Sequence, residues 1–541
     1  MLRLMTTWKW DAVDINFDYL VNLANMFTNN DEQFELISTN FTPVLRYQLL
    51  SQDLSSSKVW SLYDALQGIT IKDGQPITFN DIPLPDDADI IYTPFGINVY
   101  YNKQIYARII PYNDNIICKV VYFVAGQQDV IDYYDDRGFL SRRDLLGTPH
   151  TNEQHFYFSQ DGQLVLSEKQ GGDTPHQVTI YPLFYQRFKH HEYQNLQAVL
   201  VEIFENYANK TAEPFVLTVD NLHPSEFTQR ISLRYPVVAY LEQTLINKLS
   251  TELVDENMAG LLTAAKAIVI PENEGKQVLT DFIKEQRIPI NLKKIKVIAP
   301  YSVNLDLGIS NILVETNIVI NAIQKSAADA IKIIKTVTEL IVKDTDLNLI
   351  MVVENSVDTV LMMATVKEYL MQKLAIDDGN PDLELIEQYV LAKKANEPNP
   401  VLLKEIRLLE KKDPSRYNNM ITLVQMLHNI KFEKQLNRAK WHQLILKARV
   451  YADLNDNPDL YPVIQTIETG IPLLVAKKIE FLHQQHNGEI IQTLKQLAHY
   501  LAIYIYQLNV WNDTLVYDVQ LGNAYGDAEL TAKWKEVGDG R

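Results

Sequence analysis

The chain has 541 residues, more than one ordinary core organises, so two large domains or three to four smaller ones are expected. With 46% hydrophobic and 22% charged residues it has a globular composition, which excludes a fully disordered chain. Its 50 basic and 68 acidic residues leave a net charge of −18, which repels polyanions and argues against a general nucleic-acid binder.

The opening Met1-Leu2-Arg3-Leu4-Met5-Thr6-Thr7-Trp8 has no basic leader ahead of an apolar run, so no signal peptide is expected. Leu2–Thr6 and Phe34–Ser38 are apolar runs of strand length. Between them Phe17, Leu20, Val21, Leu23, Ala24 and Phe27 recur with helical spacing. A second helix is expected over 43–50, and 59–69 reads as a short helix stopped by Gly68. Near residue 90 the texture changes to Tyr, Ile, Val and Phe, with strands expected at 97–101, 105–110, 119–124 and 130–134. Asn113-Asp114-Asn115, Asp135-Asp136-Arg137-Gly138 and Gln160-Asp161-Gly162 are the turn signals, the glycines supplying the positive φ of tight hairpins. This is a β-meander inserted into an α/β domain, with a polar loop expected over 168–175. The single cysteine, Cys118, lies in an apolar strand pattern, reads as a buried inert thiol, and suits a reducing cytosol.

Beyond Gln194 strands and helices alternate again. A helix is expected at 196–207 and strands at 215–220 and 236–241. A second α/β set follows, with strands at 266–270, 295–299, 312–320, 347–353, 448–452 and 471–475 and helices at 322–342, 357–374, 402–409 and 490–508. Short buried strands alternating with helices imply parallel sheets. The apolar stretch 497–508 is too short for the ~20 residues of a membrane span. A last helix is expected over 513–537. The expected fold is α/β: two Rossmann-like domains with an inserted antiparallel β-meander domain. The N-terminal domain is discontinuous over 1–89 and 190–255 and the insertion covers 90–189. The C-terminal domain covers 256–510, and a C-terminal helix at 511–541 crosses back to the N-terminal domain.

Few constellations carry chemistry. Asp453, Asn455 and Asn457 begin like a calcium loop, but Pro458 and Ile464 stand where the loop needs glycine and a bidentate glutamate. Asn457 before Pro458 reads instead as a helix N-cap. His483 with His486, and His190 with His191, lack a third zinc ligand. Asp86, Asp87 and Asp89, like Asp132, Asp135 and Asp136, sit in turn-like sequence and read as solvated. No metal site and no cofactor is expected.

The informative stretch is Ala448 to Val475, read as strand, helix, tight Gly470-Ile471-Pro472 turn and strand. It resembles the donor-sugar region of GT-B glycosyltransferases, where a glutamate five residues before a Gly-x-Pro turn holds the donor ribose. Here that position is Gln465, and the residue seven positions earlier, often acidic, is Pro458. The region expected to carry basic residues for the leaving diphosphate, Leu305-Asp306-Leu307-Gly308-Ile309-Ser310, carries none. The usual Gly-Gly loop of the N-terminal domain is also missing. Gln465, Gly470, Pro472 and Gly308 are therefore expected to form a degenerate donor pocket with no catalytic residue.

Thr7-Trp8, Arg46-Tyr47, Gln52-Asp53-Leu54, Trp60-Ser61, Asp64, Gln67-Gly68-Ile69, Asp135-Asp136-Arg137-Gly138, Gly308, Ser310-Asn311, Asn457-Pro458-Asp459-Leu460-Tyr461, Gly470-Ile471-Pro472 and Asn487-Gly488 carry a wider likeness. Together they resemble the glycosyltransferase-like family of first accessory secretory proteins in the bacterial accessory Sec system. The resemblance implies a GT-B fold with an extended β-sheet insertion and no transferase activity. It implies a complex with two sister accessory proteins, working with the accessory SecA motor and SecY channel. The cargo would be serine-rich-repeat glycoprotein adhesins of Gram-positive bacteria. The place of work would be the cytosol at the inner face of the membrane, with peripheral membrane contact and no nucleic-acid partner. The alternative is a GT-B glycosyltransferase, or its inactive chaperone subunit, acting on a serine-rich adhesin.

Overall fold

The computed structural model describes residues 1–9, 15–112, 116–147, 153–171, 176–249, 256–344, 346–377, 379–395, 397 and 399–539. Two compact units emerge: Met1–Ile298 with Thr531–Arg541, and Ala299–Leu530.

The first unit is built on β1 (Leu2–Thr6), β2 (Phe34–Ser38) and β3 (Val59–Ser61). Ten insertion strands follow, from β4 (Asp89–Thr93) to β13 (Glu192–Tyr193). The α/β pattern then resumes with β14 (Phe215–Val219), β15 (Val237–Leu241), β16 (Ala267–Ile270) and β17 (Ile295–Val297). The parallel sheet runs β17-β16-β15-β14-β1-β2-β3. Its central strands are buried on both faces, which is why they read as mostly apolar runs, with Arg3 of β1 paired to Glu35. The strands expected at 266–270 and 295–299 in the second set belong to this first sheet, pairing in order beyond β15. Residues 59–61, expected as helix, form its outer strand, and the helix starts only at Leu62, capped by Ser61 and ended by Gly68 at φ 74°.

The ten insertion strands pair consecutively and antiparallel, as a meander requires. The expected turn at 113–115 lies outside the described residues. The expected loop over 168–175 is in part a strand, Leu164–Gln170. There Glu168 is buried with its carboxylate 2.7 Å from His176 Nε2, so its charge did not mark solvent. Asp132, Asp135 and Asp136 are likewise not solvated. They are buried against Arg143 (2.6 Å), Arg137 (2.6 Å) and Arg46 (3.0 Å). Cys118 is buried as expected, and burial pushes its thiol up to about 12.

The junction between insertion and parallel sheet explains the Arg46, Asp64 and Arg137 block. Arg137 holds Asp135 with two nitrogens and Asp64 with two more contacts at 2.8 Å. Arg46 donates to Asp136 and to the carbonyls of Lys72, Gly74 and Asp136. Gln67 donates to the carbonyls of Ser141 and Phe158. A Cβ on Gly138, whose φ is 96°, would overlap the Gln75 carbonyl, so the two chains pass backbone to backbone.

The second unit holds β18 (Thr316–Asn321), β19 (Leu347–Val352), β20 (Ile430–Glu433), β21 (Ala448–Asp453), β22 (Leu473–Val475) and β23 (Gly488–Ile490). They form a parallel sheet ordered β20-β19-β18-β21-β22-β23. The helix expected over 513–537 is two helices, Leu508–Gly522 and Asp527–Asp539, broken at glycines 522 and 526. Trp534 of the latter packs edge-on against Tyr240 of β15, 5.1 Å between ring centres, within the first unit. Among the described residues no helix is long and apolar enough to cross a membrane.

Candidate functional site

The four sequence-chosen residues all lie in the second unit, around the helix Leu460–Thr469 and the turn that follows it. That helix starts at Asp459, not at Asn457: the Asp459 carboxylate accepts from the Tyr461 amide at 3.1 Å. Asn457 instead exchanges bonds with the Gln324 side chain. Every residue of the helix is buried. It ends at Gly470, whose φ of 66° is left-handed and favours glycine. A Cβ there would approach Leu515 Cγ at 3.0 Å. Gly470→Val is therefore expected to lose roughly 2–3 kcal/mol, seen as a fall of several degrees in melting temperature; an unchanged value would refute this account of the turn.

Pro472 cannot donate a backbone hydrogen bond, but its carbonyl accepts from the Tyr451 amide at 3.1 Å, tying the turn to β21. Gly308 is brought to the same place. Its amide donates to Thr469 O at 2.8 Å, and a Cβ would crowd Ile471 Cγ2 at 3.1 Å and Thr469 O at 3.2 Å. The Asp306 amide donates to Glu468 O at 3.1 Å, and the Asn304 amide reaches the Glu468 carboxylate. The segment 304–308 is thus stitched to the end of the helix by its own backbone.

Gln465 is buried with both ends of its amide engaged. Its Nε2 donates to Glu468 Oε2 at 2.6 Å and its Oε1 lies 2.9 Å from His442 Nδ1. The other ring nitrogen of His442 lies 3.0 Å from Asp306 Oδ2. Burial pushes Glu468 up to about 7, opposed by His442. Sequence reading missed His442 and Arg438, which share one face of the helix Arg438–Leu446 at i, i+4 spacing. Arg438 lies over the rings of Tyr461 (5.2 Å) and Tyr301 (5.8 Å). Arg449 is buried: it faces the Trp511 ring at 4.6 Å and donates to Asn311 and to the Tyr504 carbonyl.

At the carboxyl end of β21, Asp453 is fully buried. It accepts from Asn321, Tyr451, Asn455 and Asp459 at 3.1, 3.1, 3.1 and 3.0 Å. Burial pushes Asp453 up to about 7 and Asp459 up to about 6. These acids are part of the fabric under the helix and leave no open carboxylate pair there. Of the other histidines of the sequence reading, His483 Nδ1 meets Tyr517 OH at 2.5 Å and His486 stacks on the same ring, while His190 and His191 are exposed.

A family profile described as accessory Sec system protein Asp, accessory secretory protein 1, matches residues 2–539. The accessory Sec system protein of that family from Staphylococcus aureus is 23% identical over 97% of this chain and 93% of its own. A crystal structure of accessory secretory proteins 1, 2 and 3 from Streptococcus pneumoniae superposes at a TM-score of 0.71 with 17% identity, covering 99% of this chain and 98% of that one. The pneumococcal O-GlcNAc transferase GtfA, solved with UDP and GlcNAc, superposes at 0.65 with 12% identity, covering 99% and 98%. The parallel sheets with an antiparallel sheet inserted in the first are thus the GT-B architecture with an extended β insertion. By this match and this fold the chain belongs to the family of the first accessory secretory protein, the glycosyltransferase-like component of the accessory Sec system.

Proposed function

We propose that the protein supports adhesin export without transferring sugar. One observation carries this reading: the position that grips ribose in donor-binding relatives is Gln465, its amide engaged by His442 and Glu468. The segment 304–308 supplies no base and is bonded along its backbone to the same helix end. With a glutamine at position 465 and no basic residue in the segment 304–308, transfer lacks its usual electrostatic support. Gln465, Gly470, Pro472 and Gly308 are on this reading the remnant of a donor pocket, retained because the turn they build holds β21, β22 and the helix together.

The working form is a complex with two sister accessory proteins, in line with the three-protein pneumococcal assembly. Its further partners are the accessory SecA motor and the serine-rich-repeat glycoprotein it exports. It works in the cytoplasm at the inner face of the membrane, with peripheral contact, and binds no nucleic acid. The test incubates the full chain with UDP-sugars and a serine-rich acceptor and follows nucleotide release, for wild type and Gln465→Glu. Neither is expected to turn over above background. Sustained release by the wild type would establish the transferase alternative and end this reading. Affinity capture from the source cell is expected to bring down both sister proteins.

A further inference from the structure

We propose that β4, the outer strand of the insertion, pairs antiparallel with β4 of a second copy of this chain, joining the two insertion sheets across a two-fold axis at Ile91. This goes beyond the sugar-free reading above and does not depend on it, since every residue involved lies in the insertion.

β4 ends one side of the ten-stranded sheet. It pairs with β5 (Gly96–Tyr101) without interruption, from Asp89 opposite Tyr100 to Thr93 opposite Gly96. An edge strand carries a row of outward backbone donors and acceptors that a further strand can use, and such edges are commonly guarded by a lysine, a central charge or a very short strand. The far edge of this sheet has such a guard, since β13 is two residues long. β4 is Asp89-Ile90-Ile91-Tyr92-Thr93, with its one charge at the end. Ile90 is 41% exposed, Ile91 50% and Tyr92 73%, and Phe95 in the turn beyond is 87% exposed.

Geometry sets the register. Pro94-Phe95 is a two-residue hairpin loop, and the residues flanking such a loop form a hydrogen-bonded pair. Counting back from Thr93, the peptide groups of Ile91 and Asp89 also face β5, and those of Ile90 and Tyr92 face outward. A two-fold axis at Ile91 sets Ile90 opposite the partner's Tyr92, and Tyr92 opposite the partner's Ile90, both as hydrogen-bonded pairs. Ile91 then meets the partner's Ile91 as the close, non-hydrogen-bonded pair. Ile90 and Tyr92 share a face with their β5 partners Val99 and Ile97, so the aromatic–aliphatic pairs extend the insertion's own small core.

Charge selects the direction and the partner. Asp86, Asp87 and Asp89 crowd one end of the strand, and Thr93-Pro94-Phe95-Gly96 at the other end carries no charge. Antiparallel pairing about Ile91 puts Asp89 opposite the partner's Thr93 and turns the other two acids toward the partner's uncharged loop. Parallel pairing would set each acid beside its own copy. A strand acidic at one end and uncharged at the other is complementary to its own reverse. The four exposed side chains offer on the order of 500 Å² per copy, about 1,000 Å² for the pair, which suits a weak, reversible dimer. The net charge of −18 on each copy opposes the encounter, so salt that screens it favours the pair.

The experiment is sedimentation velocity on the full chain from 1 to 200 µM, at 150 and 500 mM NaCl. A reversible dimer is expected, at least 3-fold tighter at the higher salt. Ile91→Lys sets two ammonium groups on the axis and is expected to weaken the dimer at least 10-fold with an unchanged melting temperature, because the side chain is half-exposed. Cysteine scanning tests the register. Ile91→Cys brings two sulfurs together across the axis and is expected to give a disulfide-linked dimer with oxidised glutathione. Asp89→Cys lies two residues off the axis, which holds its sulfurs about 13 Å apart, and is expected to link at least 10-fold more slowly. The native Cys118 is buried and does not compete. The proposal fails if the chain stays monomeric at 200 µM in 500 mM NaCl, or if Ile91→Lys dimerises like wild type. It fails equally if Ile91→Cys links no faster than Asp89→Cys.

Discussion

Replacing Arg137 with alanine is expected to lower the stability of the first unit by roughly 3–5 kcal/mol. The Arg137 side chain is 9% exposed and that of Asp135 4%. Burial of the guanidinium works against its charge, but the carboxylates of Asp135 and Asp64 outweigh it and hold the group charged well above its usual range. Removing the guanidinium leaves Asp135 buried without that partner and Asp64, which burial already pushes up, without its counter-charge. It also frees the Ile71 carbonyl. Arg137→Lys is expected to recover only part of the loss, because one ammonium cannot make paired contacts to two carboxylates. Denaturant unfolding of both variants measures this. Hydrogen exchange is expected to show the insertion strands opening first. A loss below about 1 kcal/mol for Arg137→Ala would sink the account of the junction.

The protein is expected to be more stable at pH 5.5 than at pH 8. Burial pushes Asp453, Glu468 and Glu242 up to about 7, and Asp136 and Asp459 up to about 6. Unfolded, such acids titrate near 4. Between those values the native state binds more protons than the unfolded one, so stability falls as pH rises. The stabilisation is complete below about pH 4 and is lost as pH passes through 6 to 7. On the order of 1 kcal/mol per buried acid gives several kcal/mol across the window. Glu468→Gln and Glu242→Gln, one in each unit, are expected to flatten the dependence, since an amide stays neutral throughout. Thermal unfolding from pH 5 to 8 checks it. A melting temperature that is flat or rises with pH would contradict the upward shift of these acids in the fold.

Much of the fold was legible in the sequence. β1, β2, β14, β15, β19 and β21 appear where apolar runs placed them, because a parallel strand covered on both faces is mostly apolar. The hairpin sequence of the insertion was legible through Gly138 and Gly162, whose φ values of 96° and 74° are those a tight turn demands. The misplacement of β16 and β17 has a physical cause: an apolar run states that a strand is buried, not which sheet edge it joins. Asp132, Asp135 and Asp136 looked solvated because an acidic run has that texture. Their partners lie as near as two residues and as far as ninety, and only the folded chain brings them together.

The candidate site divides in the same way. Gln465, Gly470, Pro472 and Gly308 were picked out through the resemblance to a donor-sugar region, and the fold brings Gly308 to the helix end that carries the other three. His442, which completes that cluster, was not found, because 136 residues separate it from its partner Asp306 and it sits in no motif. By itself the sequence determined strand burial, turn positions, the acidic balance and the glutamine at position 465, all properties of short windows or of composition. Tertiary structure alone decided which sheet each strand enters and which acids burial pushes up. Those outcomes depend on distances between residues far apart in the chain, and no local pattern encodes them.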